Sequence, residues 1–381
     1  MSGRLSFVLL TPCAVAKGRT GGILSRLLSR SGLDLVGAQM LCADETFAKG
    51  YAAALRGRST GSGQAALADY VERNLAPSEG GKARPGMLLL FRGESPCERL
   101  LRVCGRIGSG RDAGVGRTIR DTFADAIPDP GDPGRMAHFE PAVLTPETQA
   151  EADEDLRRIA GFLDGKANLP EAAEGERTLV IIKPDNWTFR SARPGGVIDM
   201  FDGAGLRIVG AKVHRFSLAQ ALEFYGPVEA MLKEKLSGMF GKKARELLER
   251  EFRVAAGEET ARALAETFGA DCAAGEFAQL VEFMSGRSPV GRSREELDEP
   301  GSAMCMILVY EGESAVARIR ETLGPTNPAD APEGTVRREF GESVMVNAAH
   351  ASDSAESFLR EKGIAKMGEN ALRETILSYL G

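Results

Sequence analysis

Hydrophobic positions along the chain fall into short, nearly continuous apolar runs separated by helical periodicity. SFVLLTP (6–12), MLLLF (87–91), TLVIIKP (178–184) and MCMILVY (304–310) are runs of the kind that central, two-sided strands produce. GGILSRLLSRSG and GGVIDMFDGAG carry apolar residues at helical spacing and end at Gly32 and Gly205, where a helix would stop. The pattern repeats: GLDLVGA (32–38) matches GLRIVGA (205–211), and GRTIRDTF (116–123) matches EGTVRREF (333–340). The same elements therefore occur twice in the same order, which points to a duplication.

Each copy reads as a strand (5–11 or 178–183), a helix (21–31 or 195–203) and a second strand (33–41 or 206–214). Further helices, another strand and another helix follow. In the second copy a last strand is expected over SVMVNAAH, leading into a helix with Asp353 as its N-cap and Glu356 completing a capping box. The fold class is α+β, with two ferredoxin-like (βαββαβ) domains, each an antiparallel sheet flanked by helices. The expected domains are 1–163 and 177–381, joined by a polar linker at 164–176. A helical insertion is expected at about 230–275, where LKEKLSGMFGKKARELLEREF is rich in helix formers.

Composition narrows the class. The chain has 381 residues, 43% hydrophobic and 27% charged, with a net charge of −6. That length suggests two domains, and the negative balance disfavours nucleic acid as a partner. The basic spots KKAR and GRIGSGRDAGVGR read as solvated faces. No apolar run approaches the roughly 18 residues a membrane span needs, so no membrane is expected. The N-terminal apolar stretch reads as a strand rather than a signal peptide. Six cysteines without CxxC spacing, and three histidines, disfavour a protein-ligated metal and suggest reduced thiols in a cytoplasm.

Polar residues in the second copy gather at element ends. Lys183 and Asp185 follow the first strand, Arg320 precedes GPTNPAD with Thr326 and Asn327, and Arg337 lies in GTVRREF. Asn347, His350 and Ser352 surround the last strand end. Arg and Lys grip phosphate oxygens, and a neutral imidazole among them is a candidate nucleophile. Taken singly, each residue has a structural explanation; their order is what carries meaning.

With VIIKPD, LGPTNPAD, GTVRREF and NAAHASDS in place, residues 177–365 resemble the nucleoside diphosphate kinase family. The resemblance implies ping-pong transfer of a γ-phosphate from a nucleoside triphosphate to a nucleoside diphosphate through phosphohistidine at His350. It implies that Glu361 orients the imidazole with Ser352 beside it, and that Tyr225 stands nearby. It further implies that Lys183, Arg320, Thr326 and Arg337 contact phosphates and Asn347 the sugar and phosphate end, while Phe277 is the nearest candidate to stack on the base. Mg²⁺ would ride on the nucleotide phosphates. Nucleoside tri- and diphosphates are the implied partners, the two copies would form an internal pseudo-dimer, and a homo-oligomer stays open.

Three departures stand out: residues 226–276 between Tyr225 and Phe277, an insertion at 287–300, and Trp187 in KPDNW. In the first copy Thr11 and Cys13 replace Lys183 and Asp185, and RMAHFEPAVLTPE replaces the histidine motif. This copy reads as degenerate, with His138 either structural or in the nucleophile slot. The alternative to a working kinase is a catalytically weak nucleotide-binding or regulatory member of the same family.

Overall fold

The computed structural model describes residues 3–58, 62–107, 117–170 and 174–381. Most of the basic stretch GRIGSGRDAGVGR, and residues 171–173 of the expected linker, lie outside them. The first half runs β1 (Arg4–Leu10), α1 (Pro12–Ala16), α2 (Thr20–Arg30), β2 (Asp34–Leu41), α3 (Glu45–Arg58), α4 (Ser62–Asn74), β3 (Gly86–Gly93), α5 (Pro96–Cys104) and α6 (Ile119–Phe123). A ribbon of β4 (Asp125–Asp129) and β5 (Asp132–Glu140) follows, then β6 (Val143–Leu144) and α7 (Gln149–Phe162). The second half runs β7 (Glu176–Ile182), α8 (Arg193–Asp202), β8 (Arg207–His214), α9 (Leu218–Phe252), α10 (Glu258–Leu264), α11 (Ala270–Ser285) and α12 (Arg294–Leu297). It closes with β9 (Cys305–Gly312), α13 (Ala315–Leu323), α14 (Val336–Phe340), β10 (Ala349–Ala351), α15 (Ala355–Ile364) and α16 (Ala371–Leu380).

The strands form two four-stranded sheets of the same order, β2-β3-β1-β6 and β10-β7-β9-β8. In each the first strand is central, pairing antiparallel with the third and the last, which is the ferredoxin-like arrangement. β1 and β7 are buried along all but their first residue, which is why each reads as a continuous apolar run rather than an alternating one.

Two compact units divide the chain: residues 1–213 with 306–381, and residues 214–305. The first unit holds both sheets. One continuous core runs through it, with Val8, Leu24 and Leu27 of the first half clustered with Ile182, Val197, Ile198 and Phe201 of the second. α2 and α8 lie against each other so closely that a Cβ on Gly21 would collide with the Asp199 backbone, and one on Gly195 with Ser25. The first glycine of each Gly-Gly pair thus serves the contact between the copies, while Gly22 and Gly196 make room for Phe123 and Phe340 of their own halves. Two bonds cross it: Gly21 N donates to Asp202 (3.1 Å) and Ser25 Oγ to the Ala192 carbonyl (3.0 Å). α16 adds a third tie. Its Leu372 and Ile376 join a first-half core with Leu5, Phe7 and Leu156, while Tyr379 donates to Asp153 on α7 at 3.0 Å.

The second unit is helical. α9 starts at Ser217, whose hydroxyl accepts Gln220 N while Gln220 reaches back to the Ser217 amide. It returns through α10, a π-helical turn (Ala265–Gly269) and α11. Gly241 and Gly269 allow the helices to close: a Cβ at either would strike the backbone of Ala265 or Ser237.

Two local expectations fail. The strand expected over SVMVNAAH is only Ala349–Ala351, because residues 343–348 turn through bonds such as Glu342 N to Val346 O (2.7 Å) and Val346 N to Ser343 Oγ (3.0 Å). The N-cap of α15 is Ser354, which accepts Ser357 N at 3.0 Å, whereas Asp353 accepts the Ser357 hydroxyl instead of anchoring a box with Glu356.

Candidate active site

β10, an edge strand of its sheet, pairs with β7 so that the partly exposed His350 lies opposite Ile181 of the central strand. The residue before this strand, Ala348, holds φ +66°, a left-handed conformation uncommon for a residue with a Cβ. Lys183 and Asn186 hold it there: Lys183 N (2.9 Å) and Asn186 Nδ2 (2.7 Å) both donate to the Ala348 carbonyl.

His350 Nε2 lies 3.1 Å from Glu361 Oε2. Glu361 is 3% exposed, projecting from α15 into the sheet end. The Ser352 hydroxyl donates to the same Oε2 at 2.7 Å and accepts Leu179 N at 3.3 Å. Ser352 was expected beside the imidazole; its hydroxyl hydrogen goes to Glu361 and braces the carboxylate that meets the ring.

Lys183 is 4% exposed, and its Nζ donates to Asn347 Oδ1 (2.9 Å) and the Met345 carbonyl (2.5 Å). Burial pulls its ammonium down to about 8, with Arg337 adding to the fall and Asp185 opposing it. Asn347 donates its amide to the carbonyls of Thr326 (3.0 Å) and Val344 (2.8 Å), so it ties the GPTNPAD loop to the strand end. Arg337 does the same from another side, donating to Gly324 O (3.1 Å) and Ala349 O (3.3 Å). Arg320 is exposed; the Ser357 hydroxyl and, after it, the Arg320 charge hold Asp353 below its usual range. The Thr326 side chain is exposed. Lys183, Arg337, Asn347, His350, Ser352 and Glu361 thus meet at one sheet end. Tyr225 and Phe277 belong to the helical unit, on α9 and α11, where Tyr225 packs its ring against Phe224 at 5.0 Å.

Two contributors were missed in the sequence. Arg193, at the start of α8, donates to Asn186 Oδ1 (3.0 Å), Asp185 Oδ2 (3.2 Å) and the Phe340 carbonyl, and lies 5.6 Å from the Phe340 ring. Asn186, 1% exposed, fixes the turn after Lys183. A helix-start Arg and a turn Asn carry no signal of such roles; only the charge match with Asp185 could have suggested the first.

The first half repeats this frame without its chemistry. Val143 and Leu144 pair with Leu10 and Leu9 as Ala349 and His350 pair with Ile182 and Ile181, so Leu144 occupies the position of the imidazole. Ala142 repeats the left-handed φ of Ala348 at +60°. Arg120 donates to the carbonyls of Gly105 and Val143, as Arg337 does to Gly324 and Ala349. Counting from the helix caps Thr148 and Ser354, Asp155 stands where Glu361 stands. Asp155 is 1% exposed and accepts from both terminal nitrogens of Arg58, at 2.6 and 2.7 Å. Burial pushes its carboxyl up while Arg58 pulls it down. Around this pair, Leu144 and Arg120 remains a void of about 20 Å³, room for a single water. His138 lies elsewhere, on the β4–β5 ribbon opposite Ile127, half exposed and 3.6 Å from Glu140.

Cys13, at the place of Asp185, donates its thiol to Glu140, and a carboxylate oxygen of Asp125 completes a three-ligand cluster within 4.8 Å. Lys17 already bridges Asp125 (2.6 Å) and Glu140 (3.0 Å), and Arg19 adds a bond to Asp125. Burial, then Glu140, push the thiol up to about 11. A metal there would have to displace two cations and a proton.

The nucleoside diphosphate kinase family model matches residues 294–366. A nucleoside diphosphate kinase of Cereibacter sphaeroides is 34% identical over 186 residues, 49% of this chain and 89% of the relative. One from Phenylobacterium zucineum is 35% identical over 182 residues, 48% and 87% of the two chains. Among solved structures, the Aquifex aeolicus nucleoside diphosphate kinase is 28% identical over 50% of this chain and 93% of its own, with a TM-score of 0.30. An NDP kinase from Pyrobaculum aerophilum is 25% identical over 51% and 100%, with a TM-score of 0.35.

Proposed function

The chain belongs to the nucleoside diphosphate kinase family, and from that premise we propose that its second half moves the terminal phosphate of a nucleoside triphosphate onto a nucleoside diphosphate through His350. The observation that carries this reading is the imidazole set against a buried carboxylate, His350 Nε2 to Glu361 Oε2 at 3.1 Å, itself braced by Ser352. A carboxylate accepting Nε2–H fixes the tautomer whose lone pair is on Nδ1 and supports the positive charge that develops on attack. The Nδ1 lone pair attacks the γ-phosphorus, the bond to the bridging oxygen breaks, and the diphosphate leaves with that electron pair. In the second half-reaction a terminal oxygen of the acceptor diphosphate attacks the phosphorus and the P–N bond breaks, restoring the neutral ring.

Lys183, Arg320 and Arg337 supply the positive field for the triphosphate, with Thr326 at the loop beside them. Asn347 holds Lys183 and the loop in register; a contact to the sugar would come from that same amide. Tyr225 and Phe277 keep, as part of this proposal, the roles the family resemblance implies for them, near the imidazole and at the base. Mg²⁺ fits as a passenger of the nucleotide: the nearby carboxylates are engaged, Asp185 with Arg193 and Glu361 with His350 and Ser352. When bound it neutralises phosphate charge.

The first half, with Leu144 in the nucleophile's place and Arg58 bound to Asp155, is proposed to be silent and to serve as the other member of an internal pseudo-dimer. The test is a phosphoenzyme assay with γ-labelled ATP and Mg²⁺. Acid-labile label that a GDP chase removes, absent in His350→Ala and retained in His138→Ala, is the expected result. Label that survives His350→Ala, or no label at all, would overturn the proposal.

A further inference from the structure

A cavity of about 700 Å³ opens within the unit that holds both sheets, well inside the size range of small-molecule sites. First-half residues from α1, α4 and the stretch before β3 form one wall, and second-half residues 202–208 form the other. None of the residues around His350 lines it. Its apolar surface comes from Val15, Leu206, Ile208 and the ring of Tyr70. Tyr70 is 2% exposed, with its hydroxyl beside Thr11.

Lys17, Lys82, Arg84, Arg207 and Asp202 line the cavity. Lys17 is paired with Asp125 and Glu140, Arg207 with Glu174 and Glu311, and Lys82 more loosely with Glu174 at 3.5 Å, which leaves Arg84 as the cation without a carboxylate partner among the described ion pairs. Arg84 is held by a backbone carbonyl, Arg73 O at 2.8 Å, which leaves its charge uncompensated by that bond. Asp202 itself is pushed up to about 7 by burial, so it opposes an anion less than an ordinary carboxylate would. We propose that this cavity is a second ligand site, for a small organic anion with a flat apolar body and a phosphate, sulfonate or carboxylate group. The apolar body lies against Val15, Ile208 and Tyr70, and the anion meets Arg84 and Lys82. Because both halves build the walls, neither copy alone would contain it. The assignment is independent of the kinase reading.

The probe is anilinonaphthalene sulfonate, titrated by fluorescence into the full chain, beside the uncharged N-phenylnaphthylamine. Arg84→Glu reverses the charge, and Ala83→Trp, at an exposed lining position, fills the mouth. The expected result is one saturable sulfonate site with weak binding of the neutral analogue. Each variant should weaken sulfonate binding at least tenfold while its thermal midpoint and phosphotransfer rate stay unchanged, and saturating ADP should not displace the probe. Equal binding of the neutral analogue, unchanged affinity in both variants, or displacement by ADP would each overturn the proposal.

Discussion

Lys183 carries a proton that the ligand-free protein holds weakly, and nucleotide binding should tighten that hold. Burial has brought its ammonium from an ordinary 10.5 down to about 8. The difference corresponds to about 3 kcal/mol against the charged form. A polyphosphate arriving beside Nζ restores the proton, so binding at pH 8.5 should take up a fraction of one. With a pKa of 8 about a quarter of the free sites are protonated at that pH, which leaves about 0.8 proton to be acquired per ADP bound. At pH 7 the same arithmetic gives about 0.1. The affinity should correspondingly fall toward tenfold per pH unit above pH 8. Isothermal titration with Mg-ADP in two buffers of different ionisation enthalpy reads the uptake directly. Lys183→Arg keeps the charge at all these values and should abolish it. Uptake near zero in the wild-type chain at pH 8.5, or unchanged uptake in the Arg variant, would refute the reasoning. The sign for folding is separate. A depressed lysine is less protonated when folded, so its contribution makes the ligand-free fold more stable as pH rises from 8 to 10.5.

Glu361→Ala should slow phosphorylation of His350 by about tenfold to a hundredfold while ADP binding measured by calorimetry changes little, since the carboxylate touches the ring and not the phosphates; unchanged turnover would count against its role. Asp202 is raised by burial, so its folded form prefers the proton and its contribution is lost as pH climbs from 4 through 7. Urea unfolding should therefore show Asp202→Asn gaining on wild type by on the order of 3 kcal/mol between pH 4.5 and pH 8.5. Arg58→Ala leaves Asp155 buried without its main partner and should cost about 3–5 kcal/mol, while the paired change Arg58→Met with Asp155→Leu should recover most of it. The same unfolding series measures both.

Much of this architecture is legible in the sequence because the signals are local. The runs at 6–12 and 178–184 can only be strands buried on both faces, and the doubled GLxxVGA announces the duplication. The quartet of motifs ending in NAAHASDS marks the site. What stays hidden depends on partners far along the chain. The spacing puts Ser352 on the same side as His350, but that its hydroxyl donates to Glu361, the carboxylate that meets the ring, depends on α15 folding back onto the strand end. The N-cap of α15 moves from Asp353 to Ser354 because a serine run offers equivalent caps. The loss of the first copy's histidine is visible, but its replacement by Leu144 needs the register of β6 on β1, since RMAHFEPAVLTPE offers no residue-level anchor. Nothing in the α16 sequence says that its Leu372 and Ile376 complete a first-half core.

The contact of α2 with α8 is made inside one polypeptide, and that changes what a lesion means. Two separate chains meeting through such a surface would part on dilution, and their thermal midpoint would follow concentration. Here the encounter is unimolecular, so parting of the two halves adds no concentration dependence to the midpoint. Inheritance is tied as well: a substitution at Gly21 in the first half would collide with Asp199 of the second, so the transfer proposed at His350 could be impaired by a change outside the half that carries it.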